Sequence, residues 1–297
     1  MGRSAERAVA GLRVVITGAT GGIGRELARE LSRRGAAVTI LARDRDRGEA
    51  VARSLPIAPG DSPAPEVVVA DLGDLGSVRR AADELNRRYG RIDVLVNNAG
   101  VAGAASALSP DGFDLMMATN HLGPFLLTNL LLARLAGAGS ARIVNTASEA
   151  HRYGGRPEPA SLGVPAPYGM IGAQRAYACS KLMNVLFTAE LARRLDGTDI
   201  TANCFCPGLV ATGLAREAPA VGRALGRLAG TPLVRRPDQG ARMGLRLVLD
   251  PELDGVSGKF FTSTPGARLL PSVAAAGDAA YQRQVWERSA ALVGLPT

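Results

Sequence analysis

The sequence is poor in several residue types whose absence narrows its function. It has three cysteines in 297 residues, Cys179, Cys204 and Cys206, too few for a disulfide framework. Cys204 and Cys206 share one face of an expected strand, poor geometry for a disulfide, and no group of residues has zinc-ligand spacing. No metal is therefore expected. Aromatic residues make up only 4% of the chain. Lysine is nearly missing: Lys181 and Lys259 stand alone, so 33 of the 35 basic residues are arginine. The arginines are scattered and paired with acids, as in Arg43-Asp44-Arg45-Asp46-Arg47, without the aromatic-interleaved basic stripe of a nucleic-acid binder. The net charge of +8 thus speaks to solubility and non-specific attraction, and no nucleic-acid partner is expected. No run approaches the roughly 20 apolar residues of a membrane span. The opening residues MGRSAERAVA lack the apolar core of a secretory signal. These absences predict a cytoplasmic protein without a membrane anchor.

What is abundant is apolar and small: 46% of the residues are hydrophobic and 36 are glycine. Short β-rich runs alternate with helical periodicity throughout. Strands are expected at Leu12–Thr17, Ala37–Leu41, Val67–Val69, Ile92–Val96, Arg142–Asn145, Thr201–Phe205 and Gly258–Phe261. Helices are expected near 22–34, 44–54, 74–89, 122–135, 174–195 and 238–249. Apolar strands separated by helices imply a parallel sheet covered on both faces. No composition break divides the chain, so residues 1–297 read as a single α/β domain with a doubly wound sheet of about seven strands. Two Gly/Pro-rich stretches break the alternation, 153–172 and 208–236, each placed where a lid or substrate loop would lie. The tail from Pro265 to Thr297 holds one short amphipathic stretch near 281–292, able to cover the substrate loop or a partner subunit.

The chemistry-bearing motifs sit at strand ends. The first strand runs into Thr17-Gly18-Ala19-Thr20-Gly21-Gly22-Ile23-Gly24 and then a helix. Glycines there allow a tight turn and let a pyrophosphate approach the helix N-terminus, where free N–H groups favour anions. The spacing alone fits two nucleotide-fold fingerprints, Gly18/Gly22/Gly24 or Gly18/Gly21/Gly24. Further along come Asn97-Asn98-Ala99-Gly100 after the fourth strand and Ser148 after the fifth. Tyr177 and Lys181 lie four residues apart on one helix face, and Pro207-Gly208 follows the sixth strand.

In this order the motifs resemble the short-chain dehydrogenase/reductase family over about residues 10–262. Asn120-His121-Leu122-Gly123, Ser148-Glu149-Ala150-His151 and Ser180-Lys181-Leu182-Met183-Asn184 are similar to its retinol-dehydrogenase and protochlorophyllide-reductase-like branch, as is the 29-residue interval from Ser148 to Tyr177. Pro124 departs from that branch's pattern. The resemblance implies a Rossmann fold and a catalytic set of Asn120, Ser148, Tyr177 and Lys181. It implies a cofactor set of Gly18, Thr20, Gly21, Gly22, Ile23 and Gly24, with Asp71 and Leu72 at the adenine. Asn98, Ala99 and Gly100 lie along the cofactor, with Tyr177 and Lys181, and Pro207, Gly208, Val210 and Thr212 surround the nicotinamide. Tyr177 is the expected general acid in reduction and base in oxidation. Lys181 is expected to lower its pKa, Ser148 to polarise the carbonyl, and Asn120 to hold a proton-relay water.

After the second strand Arg43 occupies the place that discriminates the 2′-phosphate, so NADP(H) is the expected cofactor, with NAD(H) favoured only if Asp44 turns inward. Arg25, Arg45 and Arg47 are possible helpers. The expected substrate is a carbonyl or alcohol, bulky and apolar because Leu209, Val210, Leu214, Ala218, Val221, Leu225 and Leu228 populate the second loop. His151 reads as a loop histidine packing near the cofactor. A homodimer or homotetramer is the expected assembly, through the apolar face of the 174–195 helix. Two other readings carry weight: an epimerase or dehydratase of the nucleotide-sugar type, from the second glycine spacing, and a non-catalytic dinucleotide-binding redox sensor.

Overall fold

The structure is a computed structural model and describes residues 9–60, 62–103, 105–210, 234–270 and 273–296. Seven strands form one sheet: β1 (Arg13–Thr17), β2 (Ala37–Ala42), β3 (Glu66–Val69), β4 (Val94–Asn97), β5 (Ala141–Thr146), β6 (Ile200–Cys206) and β7 (Phe260–Thr262). All neighbours run parallel, in the order β3-β2-β1-β4-β5-β6-β7. The strands are nearly unbroken Val, Ile, Leu and Ala, as burial on both faces requires. This is the expected Rossmann-type α/β fold.

Helices α1 (Gly22–Arg33) and α2 (Arg45–Ser54) cover one face, together with α7 (Pro237–Leu249). The other face carries α3 (Leu75–Arg88), α4 (Leu115–Met117), α5 (Gly123–Ala136) and α6 (Met170–Arg194). Two short C-terminal helices follow, α8 (Ala274–Gly277) and α9 (Ala279–Leu292). Side-chain caps begin several of them: Asp44, Asp74 and Asp278 each accept a backbone N–H of the first turn. Helix α1 has Gly21 at its N-cap, no side-chain cap and no acid in its first turn.

The order of strands reverses between β1 and β4. That reversal opens a crevice at the carboxyl edge of the sheet, where open α/β sheets take their ligands. The glycine turn after β1 and the Asn97–Gly100 segment after β4 flank it.

Three local differences from the sequence expectation have physical reasons. Helix α6 starts at Met170 rather than near Gln174, its first backbone bond running from Ala173 N to Gly169 O; only Pro165 and Pro167 hold the chain extended before it. The helix expected from Leu122 begins earlier too, at Leu115, and passes through a five-residue π turn, Ala118–Leu122, before α5. The stretch 153–172 is anchored to the C-terminal helix: Tyr281 donates to Pro157 O at 2.6 Å and Arg156 pairs with Asp278 at 2.7 Å.

Helix α9 lies against α6 and α5, with Trp286 packed on Phe125 and Phe187 at ring separations of 4.8 and 5.8 Å. The chain's own tail therefore covers part of the apolar α6 face from which self-association was expected. Most of the expected substrate loop, with Thr212, lies outside the described residues.

Candidate active site

The glycine turn is a cradle built by close approach. Gly18 adopts φ +68°, and a Cβ there would lie 2.7 Å from Ala99 Cα. A Cβ on Gly24 would lie 2.4 Å from Asn98 Nδ2 and 2.5 Å from Gly18 O. Only hydrogen at these positions lets the turn seat on Asn98 and Ala99. Asn98 in turn donates to the carbonyls of Thr17 and Gly18 at 3.1 and 3.3 Å. Thr17 Oγ accepts the backbone N–H groups of Asn98 and Ala99 at 2.9 and 3.0 Å. The uncapped N–H groups of α1 face this turn without a competing carboxylate. That donor set suits the diphosphate of a dinucleotide. The Gly18–Gly24 turn, with Thr20, Gly21, Gly22 and Ile23, and the Asn98-Ala99-Gly100 segment thus lie side by side, in contact through Gly18 and Gly24.

At the end of β2, Asp44 turns away from the crevice, its carboxylate accepting Arg47 N at 2.8 Å. Arg43 is exposed and makes no hydrogen bond or ion pair among the described residues. Arg25 donates to Ser54 Oγ at 3.2 Å and Arg45 pairs with Glu49 at 3.7 Å, so both are engaged elsewhere. Asp71 accepts Gly73 N at 2.9 Å and is exposed after β3, while Leu72 is buried beneath it.

The four residues expected to be catalytic come from three elements and converge. Tyr177 and Lys181 stand on α6, with Lys181 Nζ 5.7 Å from the Tyr177 ring centre. Lys181 is buried and donates to Thr146 O at 3.1 Å. Ser148, two residues beyond β5, caps the 3-10 turn Glu149–Tyr153 through Ala150 N and hydrogen-bonds Tyr177. Asn120, in the π turn, is pinned by Val101: its amide donates to Val101 O at 2.9 Å and its carbonyl accepts Val101 N at 2.8 Å. It also donates to Ser180 Oγ at 3.0 Å. A Cβ on Gly100 would lie 3.2 Å from Asn120 Oδ1 and 3.3 Å from Lys181 Nζ, so those two tips converge on the face of Gly100.

Burial dominates the electrostatics. It pushes the Tyr177 phenol up to about 12, against a lowering by the Ser148 hydrogen bond. It pulls Lys181 down to about 8, against a small opposing influence of Cys206. The expected lowering of Tyr177 by Lys181 is not what dominates this arrangement: desolvation opposes both charges.

Several residues of the site escaped the sequence reading. Asn97 and Asn145 are register partners at the ends of β4 and β5, and Asn97 donates to Asn145 and to Thr128 at 2.8 and 2.9 Å. Asn145 continues to Thr188 and Thr188 to the Asn184 carbonyl at 2.9 and 2.7 Å. Asn184 then shares Thr146 O with Lys181, at 3.3 Å. This buried polar chain braces α5, the sheet and α6 beneath the site. The only signal in the sequence was an asparagine near the end of each of two apolar strands, which gains meaning once β4 and β5 are register partners. Cys206 is the other, its sulfur accepting Glu149 N and Gly208 N at 3.2 and 3.4 Å and so tying the Ser148 turn to the Pro207-Gly208 segment. Pro207, Gly208 and Val210 follow β6 at the carboxyl edge; Val210 pairs with Arg235 in an isolated bridge and packs on Ile23 through Gly240. His151 holds Ser148 O at 2.7 Å through Nδ1 and lies 4.6 Å from Phe260, a packing role at the rim.

Among the described residues no group of acids, histidines and cysteines could hold a metal, and no helix is long and apolar enough to cross a membrane. A family profile described as short chain dehydrogenase matches residues 13–160. Human retinol dehydrogenase 14 is 40% identical over 96% of this chain and 87% of its own length. The crystal structure of an uncharacterized protein from Mycobacterium paratuberculosis superposes with a TM-score of 0.76 at 35% identity, covering 98% of this chain and 97% of that one. A short chain dehydrogenase from Burkholderia cenocepacia, solved in complex with NADP, gives 0.68 at 28% identity over 88% of this chain and 100% of its own. The chain belongs to the short-chain dehydrogenase/reductase family of oxidoreductases, in its retinol-dehydrogenase-like branch.

Proposed function

We propose that the protein transfers hydride between NADP(H) and a carbonyl/alcohol pair on a bulky, apolar small molecule. The observation that carries this reading is the convergence of Tyr177, Ser148, Lys181 and Asn120 at the mouth of the crevice that the glycine cradle flanks. When bound, the dinucleotide supplies or accepts the hydride. The residues of the chain manage the charge that this leaves on the substrate oxygen.

In reduction the carbonyl oxygen becomes an alkoxide and takes the proton of the Tyr177 hydroxyl. Ser148, within hydrogen-bond reach of the Tyr177 hydroxyl, turns its own hydroxyl hydrogen to that oxygen as the charge develops. A phenol near 12 releases its proton only with help. Lys181, protonated below about 8, supplies the positive charge that stabilises the phenolate as it forms. Asn120, converging with Lys181 over Gly100, is placed to hold the water that returns the proton. Oxidation runs the same steps backwards, with Tyr177 as base.

Asp44 spends its carboxylate on capping α2 while Arg43 remains free at the end of β2, which favours a 2′-phosphate over a bare ribose hydroxyl. The NADP complex of the Burkholderia relative supports the same cofactor. Relatives named retinol dehydrogenase support an apolar alcohol as substrate. The test follows nicotinamide absorbance with a panel of aldehydes and ketones, apolar to polar, with NADPH and NADH in parallel. Turnover fastest on bulky apolar carbonyls and with NADPH is the expected result. NADH-preferring turnover, or turnover confined to small polar carbonyls, would overturn the assignment of cofactor or substrate respectively.

A further inference from the structure

His121 directly follows Asn120 in the π turn and is almost completely buried. Its ring sits 5.9 Å from that of Phe125 and 6.1 Å from that of Phe187. Within this apolar surrounding its Nε2 lies 2.8 Å from Ser289 Oγ on the C-terminal helix α9. The Ser289 hydroxyl hydrogen is already committed to Val285 O at 2.8 Å. His121 must therefore be the donor, which fixes the Nε2–H tautomer. Burial holds the ring neutral, its pKa pulled to about 3 against a smaller raising influence of the Asn184 side chain. Its Nδ1 has no hydrogen-bond partner among the described residues.

Why a buried polar ring is kept here needs a reason, since a leucine of similar bulk would avoid an unsatisfied atom. A π turn holds one residue more than an α turn and is stable only where its surroundings over-determine it. The Val101 and Ser180 bonds fix the Asn120 side chain. Beyond the bonds of Asn120, the His121–Ser289 bond ties the turn to a helix about 170 residues away in sequence.

We propose that His121 and Ser289 form a positioning couple through which the C-terminal helix sets the π turn, and with it the place of Asn120 beside Lys181. His121 touches neither substrate nor cofactor; it acts through Asn120. This inference rests on the proposed reductase reading. A misplaced Asn120 lowers the rate of the proton-coupled step and leaves the Gly18–Gly24 turn, which it does not bond, untouched.

The test compares Ser289→Ala, His121→Leu, His121→Gln and the Leu/Ala double variant with the wild-type protein, and uses Tyr177→Phe as control. Readouts are kcat on the best carbonyl of the panel, the NADPH Kd by fluorescence titration, and the melting temperature. The expected result is a kcat about tenfold lower in Ser289→Ala and His121→Leu, with the NADPH Kd unchanged. His121→Gln, whose amide nitrogen reaches the position of Nε2, restores kcat. The double variant is no slower than either single one, because both remove the same bond. A melting temperature in His121→Leu equal to or above wild type would separate this loss from general destabilisation. Wild-type kcat in Ser289→Ala, which is small enough to fold, would overturn the couple, as would losses in kcat that multiply in the double variant. If Tyr177→Phe itself keeps wild-type turnover, the reductase reading fails instead, and the two failures are told apart.

Discussion

Lys181 donates a 3.1 Å hydrogen bond to the carbonyl of Thr146, the last residue of β5. The bond moors a buried ammonium to the strand that presents Ser148 two residues later, and with the Asn184 bond to the same carbonyl it holds helix α6 against the Ser148 turn. It also leaves the ammonium in a poorly solvated place, where its proton is lost near pH 8.

A pH limb follows from that burial. Lys181 supports reduction only while protonated, so raising the pH through about 8 removes its charge and kcat/KM for carbonyl reduction falls. Above that point the slope is about tenfold per pH unit. Steady-state profiles between pH 6 and 10 check it, and a level profile across that range would mean that the charge on Lys181 is not required.

Gly24→Ala puts a methyl group within 2.4 Å of Asn98 Nδ2 and 2.5 Å of Gly18 O. Backbone cannot yield as a flexible side chain does. The expected cost is about 1–3 kcal/mol of stability, together with weaker NADPH binding because the cradle must open. Urea denaturation and cofactor titration measure the two effects. A variant with unchanged stability and affinity would show that the turn is not as tight as described.

How much of this was legible in the sequence follows the distance over which each feature is determined. The sheet, the glycine turn and the Tyr177–Lys181 face depend on neighbours in the chain, and all appear where the spacing placed them. Asn120 was named, but its π turn was not, since the partners of that turn, Val101, Ser180 and Ser289, lie elsewhere in the sequence. Asp44 is a local case: whether its carboxylate meets a ribose or caps a helix is decided by where α2 starts, one residue on, a boundary that periodicity does not fix to one residue. The buried Asn97–Asn145–Thr188–Asn184 chain could be read only once β4 and β5 were known to be neighbours in register. The upward push on Tyr177 and the downward pull on Lys181 were not legible, because sequence spacing reports proximity and not desolvation.

Arg43→Asp is expected to weaken NADPH by about 10- to 100-fold, the range for a lost charge-assisted contact. NADH is expected to change little. Equilibrium titration with both cofactors tests this, and equal losses would mean that Arg43 does not read the 2′-phosphate.

His121 carries an acid-stability signature. Its folded pKa, about 3, lies below its ordinary value of 6.5, so the unfolded chain binds the proton first and stability is lost as pH falls from 6.5 towards 3. The loss attributable to this one ring is of the order of 5 kcal/mol across that window. Urea midpoints at pH 7 and pH 5 should differ more for the wild-type protein than for His121→Gln. An equal pH dependence in the two proteins would show that His121 is not held neutral by the fold.

The most direct measurement is turnover by Tyr177→Phe beside the wild-type protein, with NADPH binding determined on both. The loss of one hydroxyl oxygen removes the proton donor while leaving the ring that packs near Lys181. The account predicts an unchanged NADPH Kd and a rate lower by at least about 100-fold. Near-normal turnover by the variant would contradict it and transfer the proton chemistry to another residue.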